Sequence, residues 1–200
     1  MRTVALLLAA GFSRRFEGIK LTAPLDQYDT VFSASVRKLL PHFDCIVVVT
    51  RQALLDQGML KLLTTTELNH IHVLLCEEAE FGMGHSLAAG IASLRDSDAV
   101  LVCLADMPYL EADTIRSLEK TATPDHIVVP VFQGQRGNPV AFGSSFFPML
   151  ERCHGDSGAR DIIRRHSESV IEIPVEDVGI FRDIDTRGDL YPNTEAAPFS

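Results

Sequence analysis

The first 120 residues alternate between short apolar runs and amphipathic segments, and this alternation limits the folds that the chain can adopt. The apolar runs are rich in Val, Ile and Leu and span residues 3–8, 45–50, 71–75 and 99–104. Such runs are typical of strands buried on both faces of a parallel sheet. The segments between them have helical spacing and span residues 31–40, 52–63, 84–94 and 111–121. The pattern predicts an α/β fold with a doubly wound, mostly parallel sheet and helices on both faces.

The alternation changes after residue 130. Residues 127–130 and 138–142, separated by a Gly-Gln turn at 134–135, indicate a β-ribbon in the C-terminal half. Helices are predicted over residues 144–152 and 159–166, and strands over residues 169–174 and 179–184. Because the 200 residues contain neither an internal repeat nor a linker, we expect a single domain over residues 1–191. The Pro- and Ala-rich residues 192–200 are predicted to form a flexible tail.

The charge balance excludes several classes of partner. The chain has 18 Lys and Arg residues against 27 Asp and Glu residues, for a formal net charge of −9, so it offers no basic stripe to a nucleic-acid backbone. Its apolar runs are too short to cross a membrane. The four cysteines occupy positions 45, 76, 103 and 153 with no Cys-x-x-Cys pair, a pattern that indicates free thiols in a reducing compartment. We therefore expect a cytoplasmic protein that binds neither nucleic acid nor membrane.

A loop of small residues follows the first predicted strand, at the sheet edge where ligands of doubly wound folds bind. Its candidate phosphate-binding residues are Leu8, Ala9, Ala10, Gly11, Ser13, Arg15 and Lys20. Small side chains let backbone N–H groups approach phosphate oxygens, and the two cations add positive charge five residues apart. The loop matches neither GxxxxGK(S/T) nor GxGxxG. Taken alone, it is explained equally well as an ordinary turn with solvated arginines.

Acidic residues follow the fourth predicted strand and recur near the C-terminus. Asp106 lies two residues after the strand and two residues before Pro108, which stops the strand, and Asp183 and Asp185 share a later segment. Oxygen ligands at the carboxyl end of a strand suit a hard cation such as Mg²⁺, which takes one or two protein carboxylates. Each position has a plain alternative. Asp106 could cap the following helix, and the later aspartates could form a polar turn.

Separated motifs along residues 3–190 resemble, in the same order, those of the MobA-like nucleotidyltransferases, the group that contains molybdenum cofactor cytidylyl- and guanylyltransferases. The first loop is similar to LAAGxSxRMGxxK, with Phe16 in place of Met and Glu17 in place of Gly. Residues 104–110 resemble the DMP motif, and residues 183–186 resemble D-I-(D/N)-T-P-E-D, with Arg187-Gly188 replacing Pro-Glu. The segments GMGHSL, GNP and GDSGAR resemble the family's GMGxSL, GxP and GDxGAR stretches.

The resemblance, closest to a molybdenum cofactor cytidylyltransferase, implies a Rossmann-like nucleotidyltransferase fold and a Mg²⁺-dependent enzyme that could also use Mn²⁺. It implies that Arg15 and Lys20 neutralise the triphosphate and that Asp106 is catalytic as well. It assigns the metal to Asp106 and Asp185, with Asp183 in reserve. The residues that it implies in nucleotide and acceptor binding are Leu8, Ala9, Ala10, Gly11, Ser13, Gly82, Gly84, Ser86, Asn138, Asp156 and Arg160, with Arg136 as a weaker candidate.

The implied reaction transfers CMP from CTP to molybdopterin cofactor and releases pyrophosphate. Ala10 favours CTP, because relatives that use GTP tend to carry Leu-Ala-Gly-Gly and the Ala10 methyl narrows the space for a purine. One alternative is a nucleotidyltransferase that uses GTP, or that accepts a sugar phosphate or polyol phosphate. Another is a non-catalytic nucleotide-binding or cofactor-delivery module that serves a molybdoenzyme apoprotein.

Overall fold

The computed structural model describes residues 1–156 and 158–190, so the tail predicted at 192–200 lies outside the described residues. The strands are β1 (Thr3–Leu8), β2 (Ile46–Thr50), β3 (Ile71–Leu75), β4 (Ala99–Leu104), β5 (Ile127–Phe132), β6 (Gln135–Arg136), β7 (Val140–Gly143) and β8 (Val170–Pro174). The α-helices are α1 (Val31–Leu39), α2 (Gln52–Asp56), α3 (Thr65–Leu68), α4 (Met83–Ala92), α5 (Ala112–Thr121), α6 (Phe147–Leu150) and α7 (Arg160–Arg165). Short 3-10 helices cover Lys20–Thr22, Glu77–Phe81, Ser144–Phe146, Ser167–Ser169, Val178–Phe181 and Arg187–Leu190. Among the helices described, none has the length and apolar character needed to span a bilayer.

The eight strands form one mixed sheet. Its order is β3-β2-β1-β4-β7-β5-β6, with β8 paired to β5. Strands β1 to β4 run parallel to one another, whereas β7 is antiparallel to both β4 and β5. Alternate residues of β1 enter two separate cores, Ala5 and Leu7 with α1 and α5 on one side, and Val4 and Leu6 with α4 on the other. The doubly wound α/β fold is confirmed, and burial on both faces explains why β1 is apolar from Val4 to Leu8.

Two segments near the sheet's β3 edge differ from the sequence-based expectation. The helix predicted over residues 52–63 ends at Asp56, because Gly58 adopts a φ of +79° and turns the chain. Met59 and Leu63 are nevertheless buried in the core. Strand β3 is half exposed rather than buried on both faces, since it forms the edge of the sheet.

The strand predicted over residues 179–184 was also wrong, because a 3-10 helix covers Val178–Phe181 there. The buried carboxylate of Asp177 accepts hydrogen bonds from the N–H groups of Gly179 at 2.7 Å and Glu111 at 2.9 Å. These bonds turn the chain locally and tie it to the start of α5, so the segment does not pair with a strand. Asp177 therefore fixes the wall of the cavity described below.

An ion-pair network joins α1 to the loop before it and to α3. The Nε of Arg37 donates to Oε1 of Glu67 at 2.7 Å, and its Nη2 donates to the carbonyl oxygen of Leu62 at 2.8 Å. Its Nη1 pairs with Asp29. The hydrogen bond from Arg37, assisted by those from Thr64, lowers the pKa of the Glu67 carboxyl to about 2. The ionised form of Glu67 is therefore the one that stabilises the fold.

We expect Arg37→Met to lower the free energy of unfolding at neutral pH by about 2 kcal/mol, because it leaves two carboxylates without their partner. The folded pKa of Glu67 lies below its usual value of 4.5, so this contribution is complete above that value and is lost as the pH falls towards 2. Urea unfolding at neutral pH and at about pH 3 measures both effects. The control Arg116→Met removes only an exposed pair with Asp113 and should change little. Equal losses in the two variants would contradict this role for Arg37.

Candidate functional site

A cavity of about 730 Å³ opens at the carboxyl ends of β1 and β4. Its walls come from the loop after β1, the turn before α4, the residues after β4, and the C-terminal half of the chain. The predicted site residues in these walls are Leu8, Ala9, Ala10, Gly11, Ser13, Arg15, Lys20, Gly82, Ser86, Asp106, Asn138, Asp156, Arg160 and Asp185. The reserve residue Asp183 also lines the cavity, whereas Gly84 and Arg136 do not.

The loop after β1 is fixed at both ends. The N–H of Ala9 donates to the carbonyl oxygen of Val49 at 2.8 Å, and the buried Thr50 hydroxyl donates to the carbonyl oxygen of Ala9 at 3.2 Å. Farther along, Phe16 is buried in the core and its N–H donates to the carbonyl oxygen of Ser13 at 3.0 Å. Between these anchors the small residues leave the backbone open to the cavity, so its N–H groups can approach a ligand.

Two cations and two carboxylates of the predicted site meet in the cavity. The Nζ of Lys20 lies 2.6 Å from Oδ2 of Asp106 and 3.6 Å from Oδ1 of Asp185. The Nη2 of Arg15 lies 2.9 Å from Oδ2 of Asp185. The Lys20 side chain is only 11% exposed, whereas the Arg15 side chain is 76% exposed. Lys20 is therefore a fixed charge inside the cavity, and Arg15 can turn towards a ligand that enters it.

Backbone contacts hold the second acidic segment beside Asp106. The N–H of Ile184 donates to the carbonyl oxygen of Asp106 at 2.9 Å. The Asp189 carboxylate accepts hydrogen bonds from the N–H groups of Asp185 at 3.1 Å and Thr186 at 2.7 Å. The bonds from the Thr186 backbone and hydroxyl lower the pKa of Asp189. A capped turn thus sets the position of Asp185.

The donor set fits a hard divalent cation. Asp106 and Asp185 direct carboxylate oxygens at one point, which the Lys20 ammonium occupies in this structure. Asp183 lies near them, where reduced contact with water and then the charges of Asp185 and Asp106 raise the pKa of its carboxyl. Over residues 1–156 and 158–190, no group of three or more His, Cys, Asp or Glu side chains is arranged to hold a metal. Two carboxylates are nevertheless the usual protein share of a Mg²⁺ site, which phosphate and water oxygens complete.

Gly82 precedes α4 and Gly84 lies within it, and the backbone requires glycine at the two positions for different reasons. Gly82 has a φ of +119°, and a Cβ there would lie 2.4 Å from the carbonyl carbon of Gly155. Gly84 donates its N–H to the carbonyl oxygen of Gly155 at 2.8 Å, and a Cβ there would lie 2.6 Å from the backbone nitrogen of His154. Gly84 therefore docks α4 against residues 154–155 and does not line the cavity in this structure. The contact brings the GMG and GDSGAR motifs together and places Asp156 in the cavity wall.

Asn138 and Arg136 were both candidates for the acceptor side of the site, but only Asn138 lies in the cavity wall. The N–H of Asn138 donates to the carbonyl oxygen of Ile180 at 3.0 Å, which keeps Asn138 in the cavity wall. The weaker candidate Arg136 instead donates from Nε to Oε1 of Glu172 at 2.7 Å, outside that wall. Arg136 therefore pairs with Glu172 of β8 and does not line the cavity in this structure.

Exposed apolar side chains at the cavity were missed by the sequence reasoning. Phe12, Phe81, Met83 and Phe181 line the cavity while remaining at least 36% exposed. The guanidinium of Arg51 stacks over the Phe12 ring, 4.3 Å from its centroid. The sequence offered one signal: Phe12 and Met83 lie inside the recognised motifs, and Phe81 lies next to one of them. The arrangement offers flat apolar surfaces beside a charged floor, which suits a ligand with both a ring system and phosphates.

Comparisons with known proteins agree with this geometry. A model of the MobA-like NTP transferase domain matches residues 5–170. Purine catabolism protein PucB from Bacillus subtilis strain 168 is 31% identical over 191 residues, which cover 92% of this chain and 91% of that protein.

Solved structures share the fold. Rv0371c from Mycobacterium tuberculosis H37Rv has a TM-score of 0.79 at 24% identity, covering 94% of this chain and 95% of that one. A structure of Rv0371c in complex with manganese has a TM-score of 0.75 at 22% identity, covering 94% of this chain and 96% of that one. A nucleotidyl transferase from Methanothermobacter thermautotroptrophicus has a TM-score of 0.78 at 18% identity, covering 94% of each chain.

Proposed function

The chain belongs to the MobA-like NTP transferase family, and we propose that it transfers CMP from CTP to molybdopterin cofactor in a Mg²⁺-dependent reaction. The observation that carries this proposal is the position of Lys20 between Asp106 and Asp185, with Arg15 beside them. A triphosphate drawn to the two cations would bring its oxygens next to the two carboxylates. A metal shared by protein and nucleotide requires that arrangement.

In the proposed reaction an oxygen of the acceptor phosphate attacks the α-phosphorus of CTP in line. The new P–O bond forms as the bond to the bridging oxygen breaks, and pyrophosphate leaves with that electron pair. The acceptor phosphate is already ionised at neutral pH, so no general base is needed. Lys20 and Arg15 neutralise the charge that develops on the leaving pyrophosphate.

Asp106 and Asp185 would hold the metal ion, which when bound would neutralise charge on the same phosphates. Mg²⁺ is our first choice because hard oxygen ligands and substrate phosphates suit it. Manganese is bound by Rv0371c, which shares the fold, so Mn²⁺ is the second metal to include in assays.

Ala10 is the proposed determinant of base choice. It is 4% exposed and lines the cavity, so its methyl group takes space that a larger base would need. We expect Ala10→Gly to raise the ratio of kcat/KM for GTP to that for CTP by roughly tenfold, about the effect of one methyl group in a close-fitting pocket. The matched control is Ala9→Gly, which removes a methyl from the other side of the strand end. An unchanged ratio in Ala10→Gly, or the same increase in both variants, would contradict this role.

The proposed reaction is tested by incubating the protein with molybdopterin cofactor, Mg²⁺ or Mn²⁺, and CTP or GTP in turn, and measuring pyrophosphate. We expect release that depends on acceptor and metal and is faster with CTP. Release with GTP alone would overturn the choice of CTP. Release with a sugar phosphate or polyol phosphate, but not with molybdopterin, would overturn the acceptor. Tight nucleotide binding with no release under any condition would favour the non-catalytic module.

The setting of the reaction is a further part of the proposal. The Bacillus subtilis relative is named for purine catabolism. We propose that this chain serves the same process by supplying the finished cofactor to a molybdoenzyme apoprotein. Deleting its gene should then slow growth on a purine as sole nitrogen source and leave growth on ammonium unchanged. Equal growth on the purine would contradict this setting.

A further inference from the structure

We infer that Arg187 is a positioning residue for the nucleotide loop, where it holds the back of residues 13–20 so that Arg15 and Lys20 face the cavity. The starting observation is that two departures from the family pattern touch each other. Glu17 replaces the usual glycine of the first motif and Arg187 replaces the usual proline of the last, and these residues are 170 positions apart. The expected effect on nucleotide binding rests on the proposed function, whereas the effect on the loop rests on the contacts alone.

The Arg187 guanidinium bonds to Glu17 and lies beside the residues on either side of it, Phe16 and Gly18. Its Nη2 donates to the carbonyl oxygen of Glu17 at 3.2 Å. Its central carbon lies 5.9 Å from the centroid of the Phe16 ring, and its Nη2 lies 3.5 Å from the place where a Cβ on Gly18 would be. One side chain therefore spans the turn between the two phosphate-binding cations, Arg15 on one side of it and Lys20 on the other.

The backbone at Glu17 explains why the turn needs support. Glu17 has a φ of +51°, in the left-handed region that glycine adopts readily and that residues with a Cβ adopt at a cost in free energy. A charged donor on the Glu17 carbonyl fixes the orientation of the following peptide and offsets part of that cost. The loop with Glu17 is therefore expected to depend on Arg187 more than a loop with glycine would.

Within the part of the chain that the structure describes, packing behind the loop is incomplete, which increases the importance of this contact. A hollow of about 230 Å³ lies behind the loop, between its residues and the 3-10 helix Arg187–Leu190, and its walls are Phe16, Ile19, Ala23, Pro24, Arg187 and Leu190. Because few side-chain atoms of residues 1–156 and 158–190 fill this space, those residues give the loop little dispersion contact on that side. Arg187 crosses from one wall to the other.

The base of Arg187 is itself anchored. The Asp189 carboxylate accepts hydrogen bonds from the turn that precedes the 3-10 helix, and the Tyr109 hydroxyl donates to the carbonyl oxygens of Asp189 at 3.3 Å and Leu190 at 3.2 Å. Two residues before Arg187, Asp185 contacts Arg15 on the cavity side of the loop. Asp185 therefore contacts the loop on its cavity side, and Arg187 contacts it on the opposite side. Removing the rear contact lowers the population of the loop conformation that can bind phosphate, and the apparent affinity falls in proportion.

The first test follows loop order by hydrogen–deuterium exchange of a peptide that covers residues 12–21, with no nucleotide added. We expect faster exchange in Arg187→Ala, partial recovery in Arg187→Lys, and partial recovery in Arg187→Ala combined with Glu17→Gly, because glycine adopts the required φ without steric cost. The control Arg116→Ala, which loses only an exposed pair on α5, should exchange like the unmodified protein. Unchanged loop exchange in Arg187→Ala would overturn the inference. So would an equal increase in β1 and β4, since that would indicate a general loss of stability.

The second test measures the Kd of CTP and of GTP by calorimetry in the presence of Mg²⁺. We expect a rise of roughly three- to tenfold in Arg187→Ala for the nucleotide that binds, with partial recovery in the double variant and an unchanged KM for the acceptor. Faster loop exchange with an unchanged Kd would overturn the positioning role. If the unmodified protein binds neither nucleotide, the proposed function fails, and the exchange experiment alone decides whether Arg187 holds the loop.

Discussion

Asp106→Asn should slow pyrophosphate release by about a hundredfold or more at saturating CTP, while the fold is kept. Asparagine has nearly the same shape as aspartate but no charge, so the variant would remove one charged ligand of the proposed metal site and the 2.6 Å ion pair with Lys20 without opening a hole. A metal held less firmly would neutralise less of the negative charge that moves onto the leaving pyrophosphate in the transition state, so the loss should appear in kcat. Steady-state rates over a range of Mg²⁺ concentrations measure it, and the Mg²⁺ needed for half-maximal rate should rise as well.

Two comparisons make the Asp106 experiment decisive. Asp113→Asn changes an exposed aspartate on α5 whose pair with Arg116 lies at the surface, and its rate should be unchanged. Asp185→Asn should cost more activity than Asp183→Asn, because Asp185 contacts both Lys20 and Arg15. A rate within a few-fold of the unmodified protein in Asp106→Asn would contradict the metal assignment. A larger loss in Asp183→Asn than in Asp185→Asn would exchange the roles of those two residues.

Strand prediction succeeded for three of the parallel strands, one of them at the half-exposed edge of the sheet. β1, β3 and β4 have the predicted bounds, because each is a short Val-, Ile- and Leu-rich run that ends at small or polar residues. The failures came from positions where one residue redirects the chain. Gly58 ended α2 early through a positive φ, and Asp177 made a 3-10 turn out of a segment that was predicted as a strand. Neither effect changes the apolar pattern, so the pattern could not reveal it.

The site was predictable as a set of residues because its motifs follow strands whose carboxyl ends share one edge of the sheet. The loop after β1 and Asp106 after β4 meet there directly, since β1 and β4 are neighbours. Contacts between distant segments were not predictable. A Cβ at Gly84 would collide with the backbone of His154, a contact that the glycine-rich motif itself does not reveal. Glu17 and Arg187 each departed from the family pattern, but only the folded chain shows that they are in contact.

Lys20→Met should have opposite effects on the two ligands of the site. The ammonium lies between Asp106 and Asp185, at the point where their oxygens converge, so it competes with a metal for both carboxylates. Without it, Mn²⁺ should bind more tightly in the absence of nucleotide, because two close carboxylates lose their counter-charge. CTP should bind roughly ten- to a hundredfold more weakly, because a buried cation no longer meets the triphosphate. Calorimetric titration with Mn²⁺ alone, and with CTP in the presence of Mg²⁺, measures the two affinities.

The stability of the Lys20 variant gives a third and independent measurement. With Lys20 gone, the charges of Asp106 and Asp185 repel each other, so the unfolding temperature without metal should fall below that of the unmodified protein. Added Mn²⁺ should restore it, and the gain should exceed that of the unmodified protein because tighter binding to the folded state stabilises it more. Lys120→Met, an exposed lysine at the end of α5, is the matched control and should shift neither affinity nor metal-dependent stability. A weaker or unchanged Mn²⁺ affinity in Lys20→Met would show that the two carboxylates do not form the metal site, even if CTP binding were lost as expected.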